Sequence, residues 1–179
     1  MQLFLAIEIP DNIKKQIAKE LIQIKNEYRD FQWVPEENYH ITVHFFGETD
    51  RLEQIKERLS EILFDAKSFF IYSLSIDMFI KSKITIYLDF HREKTLENIE
   101  KNIREVYEGG NVNEIKFIPH LTVARCRIPS KQQYFVLRKR LEKIKTEIEF
   151  KVKSLTLFES IPNEGRPHYK KLGIFPLNG

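Results

Sequence analysis

The amino-acid sequence predicts a mixed fold of strands and helices in two pseudo-equivalent lobes facing one another across a groove. Three observations predict it. The order strand, helix, His-bearing strand, helix, strand is met twice; both His-bearing strands carry a His-x-Thr-x pattern, His40-Ile41-Thr42-Val43 and His120-Leu121-Thr122-Val123; and 80 residues separate the two histidines, as 80 separate the strand openings at Leu3 and Lys83. An approximate twofold axis relating such lobes brings two equivalent strands, each offering one His and one Thr, to a shared groove.

Leu3 to Ile9 reads as the opening strand, and Pro10-Asp11 starts a helix whose apolar positions Ile13, Ile17, Leu21, Ile24 and Tyr28 recur at helical spacing. After a turn near Asp30 and Pro35, the first His strand runs from Tyr39 to Phe46 and stops at Gly47. Leu52, Ile55, Leu59 and Ile62 mark a second helix, and Phe69 to Phe79 a strand. The second round starts with strand Lys83 to Phe90, followed by a helix on Leu96, Ile99, Ile103 and Val106 that ends at Gly109-Gly110. The second His strand spans Lys116 to Arg125, and a capping box of Ser130 with Gln133 opens a helix carrying Val136, Leu137, Leu141 and Ile144. Strand Glu147 to Phe158, a loop from Ser160 to Pro167 and a last strand near Tyr169 to Phe175 complete the chain. The expected organisation is a single bilobal domain, 1–179, with repeats at about 1–80 and 81–160 and a closing strand near 169–175.

With 42% hydrophobic residues, 179 residues fill one core and leave no room for a separate cofactor domain. The only cysteine, Cys126, excludes an internal disulfide and a cysteine-cluster metal site, and reads as a packed small residue. The start lacks a basic leader and soon meets Glu8 and Pro10, and no later stretch is long and apolar enough for a membrane span. The expectation is a soluble, cytoplasmic monomer. A net charge of +3 does not by itself suggest nucleic acid. Local clusters say more: Arg125, Arg127 and Lys131 follow the second motif, and Arg166, His168, Lys170 and Lys171 gather near the C-terminus. Flanking the groove they would hold a nucleic-acid backbone; otherwise they are solvated faces.

The alternation of a strand puts His40 and Thr42, and likewise His120 and Thr122, on one face, with Ile41, Val43, Leu121 and Val123 on the core face. Two imidazoles across a cleft suit a push and pull of protons, one taking a proton from an attacking hydroxyl or water while the other delivers one to the leaving oxygen. A phosphodiester is the natural client, and threonine hydroxyls about 6 to 7 Å along the same faces suit its non-bridging oxygens. The blander reading makes the histidines satisfied strand residues and the threonines ordinary strand formers. A metal is the rival chemistry. His40 and His44, expected on one strand face, are about 13 Å apart, too far for one Zn²⁺, and no metal-binding motif completes a site. The expectation is therefore no metal and no cofactor. His44 reads as a solvated strand residue or one lining the outer end of the groove, and His91 is assigned no role. Trp33, Tyr39 and Phe46 are candidates to stack a base, with core packing the better reading for Phe46.

The paired motifs, together with Leu3-Phe4-Leu5-Ala6-Ile7, the run Trp33 to Val43, Phe117 to Arg125 and the tail Leu157-Phe158-Glu159-Ser160, resemble the two-histidine phosphoesterases, and within them the 2′-5′ RNA ligase type, also called RNA 2′,3′-cyclic phosphodiesterase. The likeness runs nearly end to end. It implies an α+β, two-lobed fold with antiparallel sheets lining a central cleft. It also implies metal-independent opening of an RNA terminal 2′,3′-cyclic phosphate to a 2′-phosphate, with 2′-5′ ligation as the reverse. Carried onto this chain, His40 is the proton donor, His120 the proton acceptor, and Thr42 and Thr122 grip the phosphate, with Arg125 and Tyr169 as further substrate contacts. Relatives usually carry Arg where this chain has Gln2, and their tail has one residue fewer than the stretch from Gly165 to Tyr169 here. The alternatives are a phosphodiesterase for a small cyclic phosphate such as ADP-ribose 1″,2″-cyclic phosphate, and a noncatalytic RNA-binding module.

Overall fold

The structure, a computed structural model, describes residues 1–80, 82–109, 117–127 and 130–179. Nine strands and five helices form among them: β1 (Gln2–Glu8), α1 (Asp11–Glu20), α2 (Ile22–Glu27), β2 (Gln32–Trp33), β3 (His40–Glu48), α3 (Leu52–Ile62), β4 (Phe69–Ile80), β5 (Ile84–Phe90), α4 (Lys94–Glu108), β6 (His120–Cys126), α5 (Lys131–Leu141), β7 (Glu149–Val152), β8 (Ser154–Ile161) and β9 (His168–Pro176). No helix among the described residues is long and apolar enough to cross a membrane.

The fold is α+β, with two antiparallel sheets in the orders β3-β1-β8-β9 and β2-β6-β5-β4-β7. The pseudo-twofold is visible in these orders. β3 corresponds to β6, β1 to β5, β8 to β4 and β9 to β7, with β2 added at one edge. Each sheet draws on both rounds of the sequence: β4 pairs in the second sheet, while β8, beyond the single residue Lys153 that follows β7, pairs in the first.

Period-2 alternation positions the core. Leu3, Leu5 and Ile7 of β1, Ile84, Ile86 and Leu88 of β5, and Leu155 and Leu157 of β8 are buried against the helices, which contribute Ile13, Ile17, Ile55, Leu59, Leu96, Ile103 and Leu137. The opposite faces form the groove. On the first sheet that face carries a small apolar cluster, Phe4, Ala6 and Phe158, with Tyr169 against it.

Two of the expected elements differ from their sequence reading, and β2 forms where a turn was expected. The first helix breaks at Leu21 into α1 and α2, though backbone bonds from Leu21 to Ile17 and from Lys25 to Leu21 carry the ladder through. The strand expected over Glu147 to Phe158 is two strands serving different sheets. The expected helix end at Gly110 and strand start at Lys116 lie outside the described residues. Ser130 caps α5 by accepting from the Gln133 N–H at 3.2 Å.

Candidate active site

β3 and β6 lie side by side where the two sheets meet. Within each sheet the His strand pairs with a regular strand in the same frame: Glu8 is opposite His40 and Ala6 opposite Thr42, while Asp89 is opposite His120 and Tyr87 opposite Thr122. Each His strand then inserts one extra residue, Val43 or Val123, as a β-bulge. The bulge keeps His and Thr on the groove face and reverses the faces beyond it. Ala124 and His44 turn to the core side, while Arg125 and Phe45 turn to the groove.

The expectation that His40 and His44 share a face is therefore corrected. His44 is 7% exposed, paired with the core residue Leu5, and rests edge-on against Phe46 with ring centroids 4.9 Å apart. Burial pushes its pKa down, Glu108 pulling the other way and Arg104 adding to the fall. The solvated reading of His44 is overturned by its burial; with Phe45, Phe46, Arg58 and Tyr107 it lines a cavity of about 500 Å³. The three aromatic candidates are also placed away from the open groove face. Tyr39 is 2% exposed in the core, Phe46 packs edge-on to Tyr107, and Trp33 stacks on Phe31 while its indole N–H donates to the Tyr28 carbonyl. Phe45, 67% exposed and 5.9 Å from the Phe4 ring, is the aromatic that the first motif presents.

The histidines are oriented by one device used twice. The Nδ1–H of His40 donates to the Asn38 carbonyl at 2.8 Å, and that of His120 to the Ile118 carbonyl at 2.9 Å. A carbonyl accepts only, so each Nδ1 keeps its proton and each Nε2 is left for chemistry. Aromatic rings brace both imidazoles: Phe4 and Tyr169 at His40, each at 5.1 Å, and Tyr87 and Phe79 at His120, at 5.5 and 5.9 Å.

Burial and charge act on His40. Burial lowers the pKa of His40; the Asn38 carbonyl opposes this, and the neighbouring charges of Arg125 and His120 lower it further. Arg125 also acts on Tyr169, whose pKa burial raises. The guanidinium on β6 thus reaches the field of His40 and Tyr169 on the first sheet, which brings four of the expected site residues together. Glu8, opposite His40, accepts from Thr156 at 2.6 Å and is ion-paired with Lys171. Burial alone would raise its pKa, but these bonds and the charges of Lys171 and Lys14 hold it below the ordinary range. Asp89, opposite His120, is raised instead by burial and by Asp77, against the Phe90 N–H and the two nearby histidines. Of the basic cluster, Lys171 is engaged with Glu8, whereas Arg127, Lys131, Arg166, His168 and Lys170 are exposed. Cys126 is buried, with its thiol pushed up to about 11, as a packing residue should be. The Asn38 side chain donates to the Pro167 carbonyl at 2.9 Å, tying the C-terminal loop to the segment that orients His40.

Known proteins are similar to this chain in sequence and in architecture. The family model described as the 2′-5′ RNA ligase superfamily matches residues 9–163. An RNA 2′,3′-cyclic phosphodiesterase of Methanocaldococcus jannaschii is 33% identical over 95% of this chain and 97% of its own length, and one of Thermotoga maritima 27% identical over 90% of each. Among solved structures, TT0787 of Thermus thermophilus superimposes with a TM-score of 0.77 at 19% identity, covering 100% of this chain and 99% of that one. The LigT protein of E. coli complexed with 3′-AMP superimposes with a TM-score of 0.74 at 18% identity, over 99% and 98%. A match over residues 9–163, which include both histidine motifs, places this protein in the 2′-5′ RNA ligase superfamily.

Proposed function

We propose that the protein hydrolyses the 2′,3′-cyclic phosphate at an RNA end to a 2′-phosphomonoester, without a metal. The observation that carries the reading is the pair of histidines, each locked by Nδ1 to the carbonyl two residues before it, with Nε2 left free on equivalent groove-face positions. Water attacks phosphorus in line with the bond to O3′. His120 Nε2 takes the proton of the water, the P–O3′ bond breaks, and His40 Nε2–H protonates the departing oxygen to give a 3′-hydroxyl and a 2′-phosphate. Thr42, Thr122 and Arg125 bind the non-bridging oxygens, whose charge grows in the transition state. With a 5′-hydroxyl in place of water as the nucleophile, the same displacement forms P–O5′, breaks P–O3′ and leaves a 2′-5′ bond beside a 3′-hydroxyl. The names of the relatives support the substrate class, and we place the enzyme in the cytoplasm as a monomer.

One observation bears on the roles: burial and the neighbouring charge of Arg125 disfavour the imidazolium form of His40. An anionic phosphate bound at the threonines counters that by stabilising the imidazolium.

The test is incubation of a short RNA ending in a 2′,3′-cyclic phosphate, in excess EDTA, with the intact protein, His40→Ala and His120→Ala. Conversion to a 2′-phosphate that each substitution slows by about 10² to 10⁴ is expected. Inertness, or turnover that EDTA stops, sinks the metal-free reading and directs attention to small cyclic phosphates or to an RNA-binding module. A substrate with sulfur at the 3′ position assigns the roles, because a thiolate leaves without an acid: it rescues His40→Ala if His40 is the donor, and His120→Ala if the roles are exchanged.

A further inference from the structure

The groove face of the second sheet does not end at the histidine. It continues across β5 and β4, where Asp89 is opposite His120 and Ser75 opposite Asp89, and then runs back along β4. Phe69 and Ile71 of that strand are buried, so the residues between and beyond them face away from the core. Those residues are Phe70 and Tyr72, each 45% exposed, and Leu74, 51% exposed, follows at a bulge. Three large exposed apolar side chains within five residues of a strand are an uncommon expense for a soluble surface. Phe70 and Tyr72 also lie with their rings near parallel, at 26°, and centroids 6.4 Å apart. On β7, Lys151 is opposite Phe70 and Glu149 opposite Tyr72.

Resting on the hydrolase reading above, we propose that Phe70 and Tyr72 stack the bases of the RNA strand on the 5′ side of the cyclic phosphate, so that the enzyme binds an oligonucleotide end and not only its last nucleotide. Two strand spacings and, with the bulge at Leu74, a net two residues of rise put Tyr72 about 12 Å from His120, a span a few nucleotides cover. Aromatic faces suit such a path because every base has a π-face and stacking reads no sequence; Lys151, opposite Phe70, has its ammonium on the Gly179 carbonyl at 2.9 Å. On the first sheet the groove face next to His40 holds Tyr169 against Phe4 and Lys171 paired to Glu8, with Phe45 its one large exposed aromatic.

The experiment compares kcat/KM on adenosine 2′,3′-cyclic phosphate with kcat/KM on a pentaribonucleotide bearing the same end, for the intact protein, Phe70→Ala, Tyr72→Ala, the double variant and Tyr72→Phe. The double variant is expected to lose about tenfold or more on the pentanucleotide. The loss is expected in KM with kcat unchanged, and none is expected on the mononucleotide. Tyr72→Phe, which keeps the ring, should match the intact protein on both. Equal losses on the two substrates, or none on either, would overturn the stacking path while leaving hydrolysis intact. An intact protein inert toward both substrates would instead fail the hydrolase reading, and this one with it.

Discussion

His40 and His44 stand four residues apart on one strand and meet opposite demands. His40 keeps one ring nitrogen for the groove, while His44 is packed between the strand and the helices. The titration of His40 below the ordinary imidazole value near 6.5 has a kinetic consequence. One limb of a bell-shaped kcat/KM profile should lie below pH 6.5, and the residual activity of His40→Ala should lack it. The limb does not separate acid from base, since either assignment needs the pair to hold one proton. Each histidine replaced by Ala should cost about 10² to 10⁴ in kcat/KM. His44 carries a prediction about stability. Its folded pKa lies below the unfolded one, so its contribution is complete above about pH 6.5 and is lost as pH falls through the folded value. Chemical denaturation between pH 7.5 and 5 should show stability falling with pH, less steeply in His44→Leu, with hydrolysis in that variant unchanged; a collapse of its kcat would show that His44 serves the chemistry after all. Alternation made the faces of His40, Thr42, His120 and Thr122 legible in the sequence. It failed at His44 because Val43 adds a residue that no Gly or Pro announces, and counting by twos then assigns His44 and Phe45 to the wrong faces until a second irregularity at Phe46 restores the frame.

At the scale of elements, legibility followed the strength of the periodic signal. Helices α3 and α4 and strands β4 and β5 were readable to within a few residues because each buries one regular face. β2, two residues long, has too little pattern to announce itself, and the boundary between β7 and β8 falls on Lys153 within what reads as one continuous strand. Caps were unevenly legible. Ser130 was visible as half of a capping box, whereas α4 is capped by Glu93, whose carboxylate accepts from the Leu96 N–H at 2.6 Å. That bond satisfies an otherwise orphaned donor and puts negative charge at the positive end of the helix. Glu93→Ala should cost about 1 kcal/mol of unfolding free energy. A fall in melting temperature of roughly 2–4 °C would report it, with kcat/KM unaltered. An unchanged melting temperature would mean that water serves the helix end equally well.

The whole molecule is bound together by the exchange of strands between its halves. The repeat was legible in the sequence because His40 and His120 fix a common frame; which sheet receives the strand after each His unit was not, because a buried strand carries no mark of its partner. In the fold, β4 belongs to residues 1–80, yet both its neighbours, β5 and β7, come from the second half, and β8 of the second half completes the sheet of β1 and β3. A chain ending at residue 80 would hold a two-stranded β1-β3 ribbon and a twelve-residue strand with no partner, exposing Phe69, Ile71, Ile76 and Met78. The complementary chain from residue 83 would lack the strand between β5 and β7. Produced separately, the fragments 1–80 and 83–179 should each fail to show a cooperative thermal transition. Produced together, they should associate, because every sheet contact that crosses between them is still available, and should recover hydrolysis of the cyclic phosphate, since His40 arrives on one fragment and His120 on the other. Cooperative unfolding of either fragment alone would show that a half is a folding unit in its own right, and that the strand exchange joins lobes already able to stand apart.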